Sequence, residues 1–173
     1  QQDNITYYGF PSLAINSSGN ILFQASMPIG QSGYFTGNGG AHQEILTTSD
    51  GFSGLSYATI NDGDVVAFSG QKTGAFGMSV PGFFSTTGGS VNDLAIKNPS
   101  DPCGFDVLSG WPHINSDTVA FSARLNTSSF AIITVPAIGG PPTVVVGNSS
   151  EWGSFGSPAI NSNGIVACWA YHN

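Results

Sequence analysis

The apolar positions of this chain fall into short runs, broken every few residues by Gly, Ser, Asn and Asp. Four of the runs share one phrase. An Ile-Asn pair stands at Ile15-Asn16, Ile60-Asn61, Ile114-Asn115 and Ile160-Asn161. A tight polar turn follows each pair ("SSGN", "DGD", "SD", "SNG"), and then a nearly continuous apolar stretch ("ILFQA", "VVAFSG", "TVAFSA", "IVACWA"). The turn residues tolerate left-handed backbone or hydrogen-bond to their own main chain. Each phrase therefore predicts a β-hairpin whose first strand ends at Ile-Asn. The second strands do not alternate strictly, which predicts burial on both faces. Phe23, Phe68 and Phe121 hold one equivalent core position, and Cys168 holds it in the last copy. The small Ala67 and Ala120 beside it leave room for a neighbouring sheet.

Two further strands are predicted in each of the first three copies: "GYFTG" and "HQEILTT", "GFFST" and "VNDLAI", "FAIITV" and "TVVVG". Gly-rich turns separate them. No stretch combines a cap, a 3.6-residue period and a run of helix formers. Four short strands recurring at a fixed period are the pattern of a propeller blade. The expectation is a single all-β repeat domain over residues 1–173, a small β-propeller of four repeats. The repeats run approximately over 9–54, 55–107, 108–154 and 155–173, with residues 1–8 completing the last. Such a ring would hide its strand edges. A β-sandwich, a piece of a larger propeller, and a ring made by two chains are the alternatives.

The phrases "PHINSDTVAFSA" and "PAINSNGIVACWA" resemble a tandem repeat of exported bacterial proteins, roughly P-x-I-N-x-x-G-x-V-A-F-x-A. Leu13 and Ala58 stand where that pattern has Pro, Asp117 where it has the turn Gly, and Cys168 where it has Phe. The resemblance implies export and a propeller-like fold, and it carries no activity onto named residues.

Composition narrows the partners. Charged residues are 8% of the chain, against about 25% in ordinary domains. The surface is neutral and hydrogen-bonding, which reads as extracellular or periplasmic. Net charge is −7, and the basic residues are only Lys72, Lys97 and Arg124. Three cations cannot track a phosphate backbone, so nucleic acid is excluded as a partner; the same holds for a polybasic membrane patch. No apolar run approaches the ~20 residues of a membrane-spanning helix, so no membrane insertion is expected. The chain opens on Gln1, which is read as removal of a leader or of a longer precursor segment. Cys103 and Cys168 are a candidate disulfide in an oxidising compartment. It would close a loop of about 65 residues, stabilising by roughly 4 kcal/mol. A buried thiol at Cys168 is the alternative. Asn-x-Ser/Thr sequons at Asn4, Asn16, Asn126 and Asn148 are about as many as chance gives in so Asn- and Ser-rich a chain.

No catalytic motif emerges. "GFSGL" and "GQSGY" place Gly one residue too early for a nucleophile elbow at Ser53 or Ser32. His42, His113 and His172 lack the spacing of a helical zinc site. Asp62 and Asp64 lie in a solvated hairpin turn, which leaves both ionised and suits neither member of a glycosidase pair. Asn61, Asp62 and Asp64 offer hard oxygens to calcium, but the remaining ligands of a calcium loop are missing. The turn at Asn161 to Gly164 does not match the Ser-x-Asp-x-Gly-x-Thr-Trp turn of sialidase-type propellers.

Aromatic residues give the binding candidates. Tyr57 and Trp111 stand four residues before Asn61 and Asn115, and Trp152 lies in "SSEWGSFG". Rings beside amides are a common way to hold sugars, whereas packing between blades is the structural reading of the same positions. The expectation is a non-enzymatic extracellular interaction or matrix module with a glycan or protein partner, or a homodimer. A carbohydrate-binding lectin is the second reading and a glycan-active hydrolase the weakest. No cofactor is expected apart from the calcium candidate.

Overall fold

The polar turns after Ile-Asn do bend the chain into hairpins, and each hairpin belongs to a different sheet. The computed structural model describes residues 12–27, 30–98, 104–125, 129–149 and 151–172. Unit 1 contains β1 (Leu13–Ile15), β2 (Ile21–Ser26), β3 (Ser32–Gly37) and β4 (Gln43–Thr47). Unit 2 contains β5 (Phe52–Ile60), β6 (Val66–Thr73), β7 (Ser79–Thr86) and β8 (Val91–Ile96). Unit 3 contains β9 (Phe105–Ile114), β10 (Thr118–Leu125), β11 (Phe130–Pro136) and β12 (Thr143–Gly147). Each is one four-stranded antiparallel sheet with its strands in chain order. The third and fourth strands fall on the segments predicted for them.

Unit 4 is a single interrupted hairpin. Its inner part pairs β14 (Ala159–Ile160) with β15 (Val166–Ala167), and its outer part pairs β13 (Trp152–Phe155) with β16 (Ala170–His172). The strands are thus divided among three four-stranded and two two-stranded sheets, not between the two facing sheets of a sandwich. The first strands of units 2, 3 and 4 begin at Phe52, Phe105 and Trp152, upstream of the expected boundaries at 55, 108 and 155. Register shifts between Phe52 and Gly54 and between Leu55 and Ala58 let β5 bend and keep pairing where a regular strand would stop.

The Ile-Asn register is the same in all four units: Ile15 faces Ile21, Ile60 faces Val66, Ile114 faces Val119 and Ile160 faces Val166. These residues lie on the face each unit turns to the unit before it. The opposite face carries Leu22, Ala67, Ala120 and Ala167. One core forms where the second face of unit 1 (Leu22, Tyr34, Leu46) meets the first face of unit 2 (Phe52, Val66, Phe68, Phe84). A second forms where Ala67, Phe83 and Ala95 of unit 2 meet Ile114, Val119, Phe121 and Ile133 of unit 3. Phe68 and Phe121 are fully buried, as expected. Phe83 and Phe121 approach to 4.7 Å between centroids across the second junction, and Tyr34 and Phe68 to 5.3 Å across the first. Burying a side chain of this size stabilises by about 1.5–3 kcal/mol, and Ala67 is the small residue that lets the sheets close. The series does not hold at the other two positions: Phe23 is only half-buried, and Cys168 departs further. It is exposed rather than buried, because the ladder of unit 4 is interrupted between β15 and β16 at that residue. Cys103 lies outside the described residues, and so does the pairing of these two cysteines.

Candidate functional site

The recurring asparagines bind in two directions at once. Within each turn the side-chain oxygen accepts main-chain N–H groups: Asn20 onto Asn16, Gly63 and Val65 onto Asn61, Asp117 and Thr118 onto Asn115, Asn163 and Ile165 onto Asn161, at 2.8–3.0 Å. This is the turn role that the sequence predicts. The other end of the amide leaves the unit. Asn16 Nδ2 donates to the Asn61 carbonyl at 3.1 Å. Asn61 Nδ2 donates to the carbonyls of Asn115 and Ser116 at 2.9 and 2.8 Å. Asn115 Nδ2 donates to the Asn161 carbonyl at 3.1 Å. The result is a ladder of amides, one rung per junction between units. It starts at Asn16 and ends at Asn161, whose amide makes no such donation among the described residues. Completion of the last unit by residues 1–8 lies outside the described residues. Beside the ladder, Ile15, Ile60, Ile114 and Ile160 line one shared cavity of about 410 Å³.

Asp62 and Asp64 reinforce the first rung. Asp62 accepts the Ser17 N–H at 2.8 Å, and that bond, with a weaker one from the Ser17 side chain, holds its carboxyl below the ordinary carboxylate range. Asp64 Oδ1 accepts from Asn16 Nδ2 at 2.8 Å and from Asn20 Nδ2 at 2.9 Å. Asp64 sits at φ 59°, where the equivalent turns of units 1 and 4 use Gly19 and Gly164. Asp tolerates that left-handed conformation better than most residues. The calcium candidates are therefore engaged with donors: Asn61 through its oxygen to turn N–H groups, and the two carboxylates to unit 1. Among the described residues no three His, Cys, Asp or Glu side chains gather to hold a metal.

The aromatic candidates separate. Tyr57 and Trp111 stack on each other at 4.3 Å between centroids and 26° between planes, bridging units 2 and 3. They remain 40% and 54% exposed, so each ring has one face against its partner and solvent on the other side. Trp152 belongs to unit 4, where its ring meets His172 edge-on. The position four residues before Asn also bridges units at both ends of the chain. Ser12 Oγ donates to the Ala58 carbonyl at 2.8 Å and accepts the Ala58 N–H at 2.9 Å. The Ser157 hydroxyl accepts the Trp111 N–H at 2.9 Å. Sequence reasoning finds Tyr57 and Trp111 but misses Ser12 and Ser157. Counting back four residues from every Ile-Asn would have shown the column.

Next to Tyr57 a cleft of about 240 Å³ is lined by Ser69, Gln71 and Gly110. Lost hydration on β9 holds His113 below its ordinary value, and partial desolvation pushes the Cys168 thiol up. Burial drives the Tyr34 hydroxyl far above its ordinary value, and it donates to the Ser56 carbonyl at 2.7 Å as another link from unit 1 to unit 2. No protein-family model matches this chain, and no curated protein matches it.

Proposed function

We propose that the chain is a propeller-type repeat module that works outside the cytoplasm as a non-enzymatic interaction or matrix scaffold. The observation that supports this reading best is where the repeated side chains are used. The Asn column, the Ser12/Tyr57/Trp111/Ser157 column and the Phe-against-Ala packing all join one unit to the next. Repetition here builds a stiff curved array. The shared cavity at the Ile-Asn turns supports arranging the units as blades about an axis. In this reading the ring is either closed by the chain's own residues 1–8 or continued by further blades. The poverty in charge and the resemblance to exported tandem repeats support a location outside the cytoplasm.

A carbohydrate-binding reading has one observation in its favour: the exposed Tyr57–Trp111 stack beside a cleft carrying Ser69 and Gln71. An aromatic face with nearby hydroxyl and amide groups is the usual chemistry of a sugar subsite. One experiment separates the two. The labelled protein is applied to an array of plant, bacterial and animal glycans, with Trp111→Ala alongside and thermal unfolding recorded for both. The scaffold reading expects a flat array and a lowered Tm for Trp111→Ala. Dose-dependent glycan binding that Trp111→Ala abolishes, with the Tm unchanged, would overturn it.

A further inference from the structure

One polar pair recurs on the face that a unit turns to the next, and the two inner junctions treat it differently. In unit 1, Thr36 on β3 pairs in register with Leu22 on β2 and with Gln43 on β4. In unit 2, Ser85 and Asn92 hold the same two places beside Ala67. At the second junction the following unit takes up the pair. Ser85 Oγ donates to the carbonyl of Ala137, in the turn after β11. Asn92 Nδ2 reaches Ser85 Oγ at 3.3 Å and the same carbonyl at 3.5 Å. At the first junction the corresponding turn of unit 2, after β7, does not close on Thr36. A cleft of about 360 Å³ lies there instead, with Thr36, Asn38, Gln43 and Ile45 of unit 1 on one side and Asp64 and Thr87 of unit 2 on the other. Thr36 is only 9% exposed, yet its hydroxyl has no hydrogen-bond partner among the described residues. Leaving such a group unpaired is costly.

Asp64 gives the cleft its sign. Its Oδ1 accepts from the amides of Asn16 and Asn20, which are neutral, and no Lys, Arg or His lines the cleft. The three cations of the chain stand at the other end of the strands. Lys72 and Arg124 lie near the ends of β6 and β10 far from the turns, paired with Asp93 and Asp106, and Lys97 follows β8 at the same end. Asp62 and Asp117 add two carboxylates to the turn edge. We propose that this cleft binds a primary ammonium group on an alkyl stem, supplied as a free amine or as a lysine side chain of a partner. An ammonium offers three donors and no acceptor. The second carboxylate oxygen of Asp64, the Thr36 and Thr87 hydroxyls and the amide oxygens of Asn38 and Gln43 are all acceptors. Ile45, 8% exposed, gives the stem an apolar wall. Asp64 repels an anion, and no aromatic ring lines the cleft to seat the face of a sugar.

Titration of the isotopically labelled full chain at neutral pH, followed by amide NMR spectra, tests this with n-butylamine, n-butanol and the blocked peptide Gly-Lys-Gly. The proposal expects saturable shifts with n-butylamine, gathered at Thr36, Asn38, Gln43, Asp64 and Thr87, and none with n-butanol. Asp64→Asn should abolish them. Asn tolerates the positive φ of that position as Asp does, and its amide oxygen still accepts from Asn16 and Asn20, so the variant should keep the parent's spectrum elsewhere. Thr36→Val keeps the shape without the hydroxyl and should weaken binding by about fivefold, the scale of one hydrogen bond. Tighter binding of the peptide than of n-butylamine assigns the cleft to a partner's lysine; binding no tighter assigns it to a free amine. The absence of any saturable shift overturns the proposal. So does n-butanol binding as well as n-butylamine, and so do shifts that survive Asp64→Asn, which would place the amine elsewhere on an acidic surface. None of these failures touches the scaffold reading, and glycan binding abolished by Trp111→Ala would overturn that reading without touching this one.

Discussion

At the residue scale, Phe68 shows how a local pattern becomes a structural constraint. Its ring meets Phe52 at 5.5 Å, Phe84 at 5.3 Å and Tyr34 at 5.3 Å. Two of these partners come from other strands of its own sheet and one from the sheet of unit 1. Replacing it with Ala removes a filled centre from between two sheets that are each pinned by backbone ladders and cannot collapse inward. The cost should be about 3–5 kcal/mol, or a Tm lower by about 10 °C for a chain of this length, measured by differential scanning calorimetry. A change within a degree or two would mean that the ring is not where the packing puts it. Position 68 is legible in the sequence because its equivalents, Phe23 and Phe121, follow the Ile-Asn pair at nearly the same distance. Cys168 obeys the same spacing and is exposed, since burial depends on the strands around it and spacing alone does not supply them.

At the scale of the element, the turns are the informative parts. Their hairpin geometry is written in Ser, Gly, Asn and Asp, and the structure forms it where expected. What those residues do across the gap to the next turn is a tertiary property. Asp62 reads as a solvated turn carboxylate, and its bond to the Ser17 N–H becomes visible only when units 1 and 2 are side by side. That bond has a pH signature. The folded pKa of Asp62 lies below its unfolded value, so its contribution is present above the unfolded carboxylate pKa and is lost as pH falls through the folded one. Thermal unfolding followed from neutral pH into the acid range should therefore show a shallower acid loss for Asp62→Asn than for the parent. The amide still accepts the Ser17 N–H but does not titrate. Identical acid limbs would remove Asp62 from the junction. The starts of β5, β9 and β13 are the least legible elements, because bulges let these strands run on through Gly and Ser where a regular pattern ends.

At the scale of the whole molecule, the repeat count, the all-β class and the order of strands within each sheet follow from periodicity. The way one unit is tied to the next does not. A single Ile-Asn pair accounts for a turn. Four of them at equivalent places account for a ladder only once the sheets are stacked, because each amide then finds the next turn's carbonyl at hydrogen-bond distance. The same stacking explains why Tyr57 and Trp111 meet while Trp152 stands apart: the first two occupy one column of the repeat and the third does not. A buried donor facing two carbonyls is costly to disturb, and Asn61, 5% exposed, is in that position. The most direct test is the urea unfolding midpoint of four single variants in dilute solution: Asn16→Asp, Asn61→Asp, Asn115→Asp and Asn161→Asp. Aspartate keeps the oxygen that closes each turn and removes the donor that crosses to the next unit. The ladder predicts a loss of about 1–3 kcal/mol for each of the first three and almost none for Asn161→Asp; equal losses at all four positions, or none at any, would contradict it.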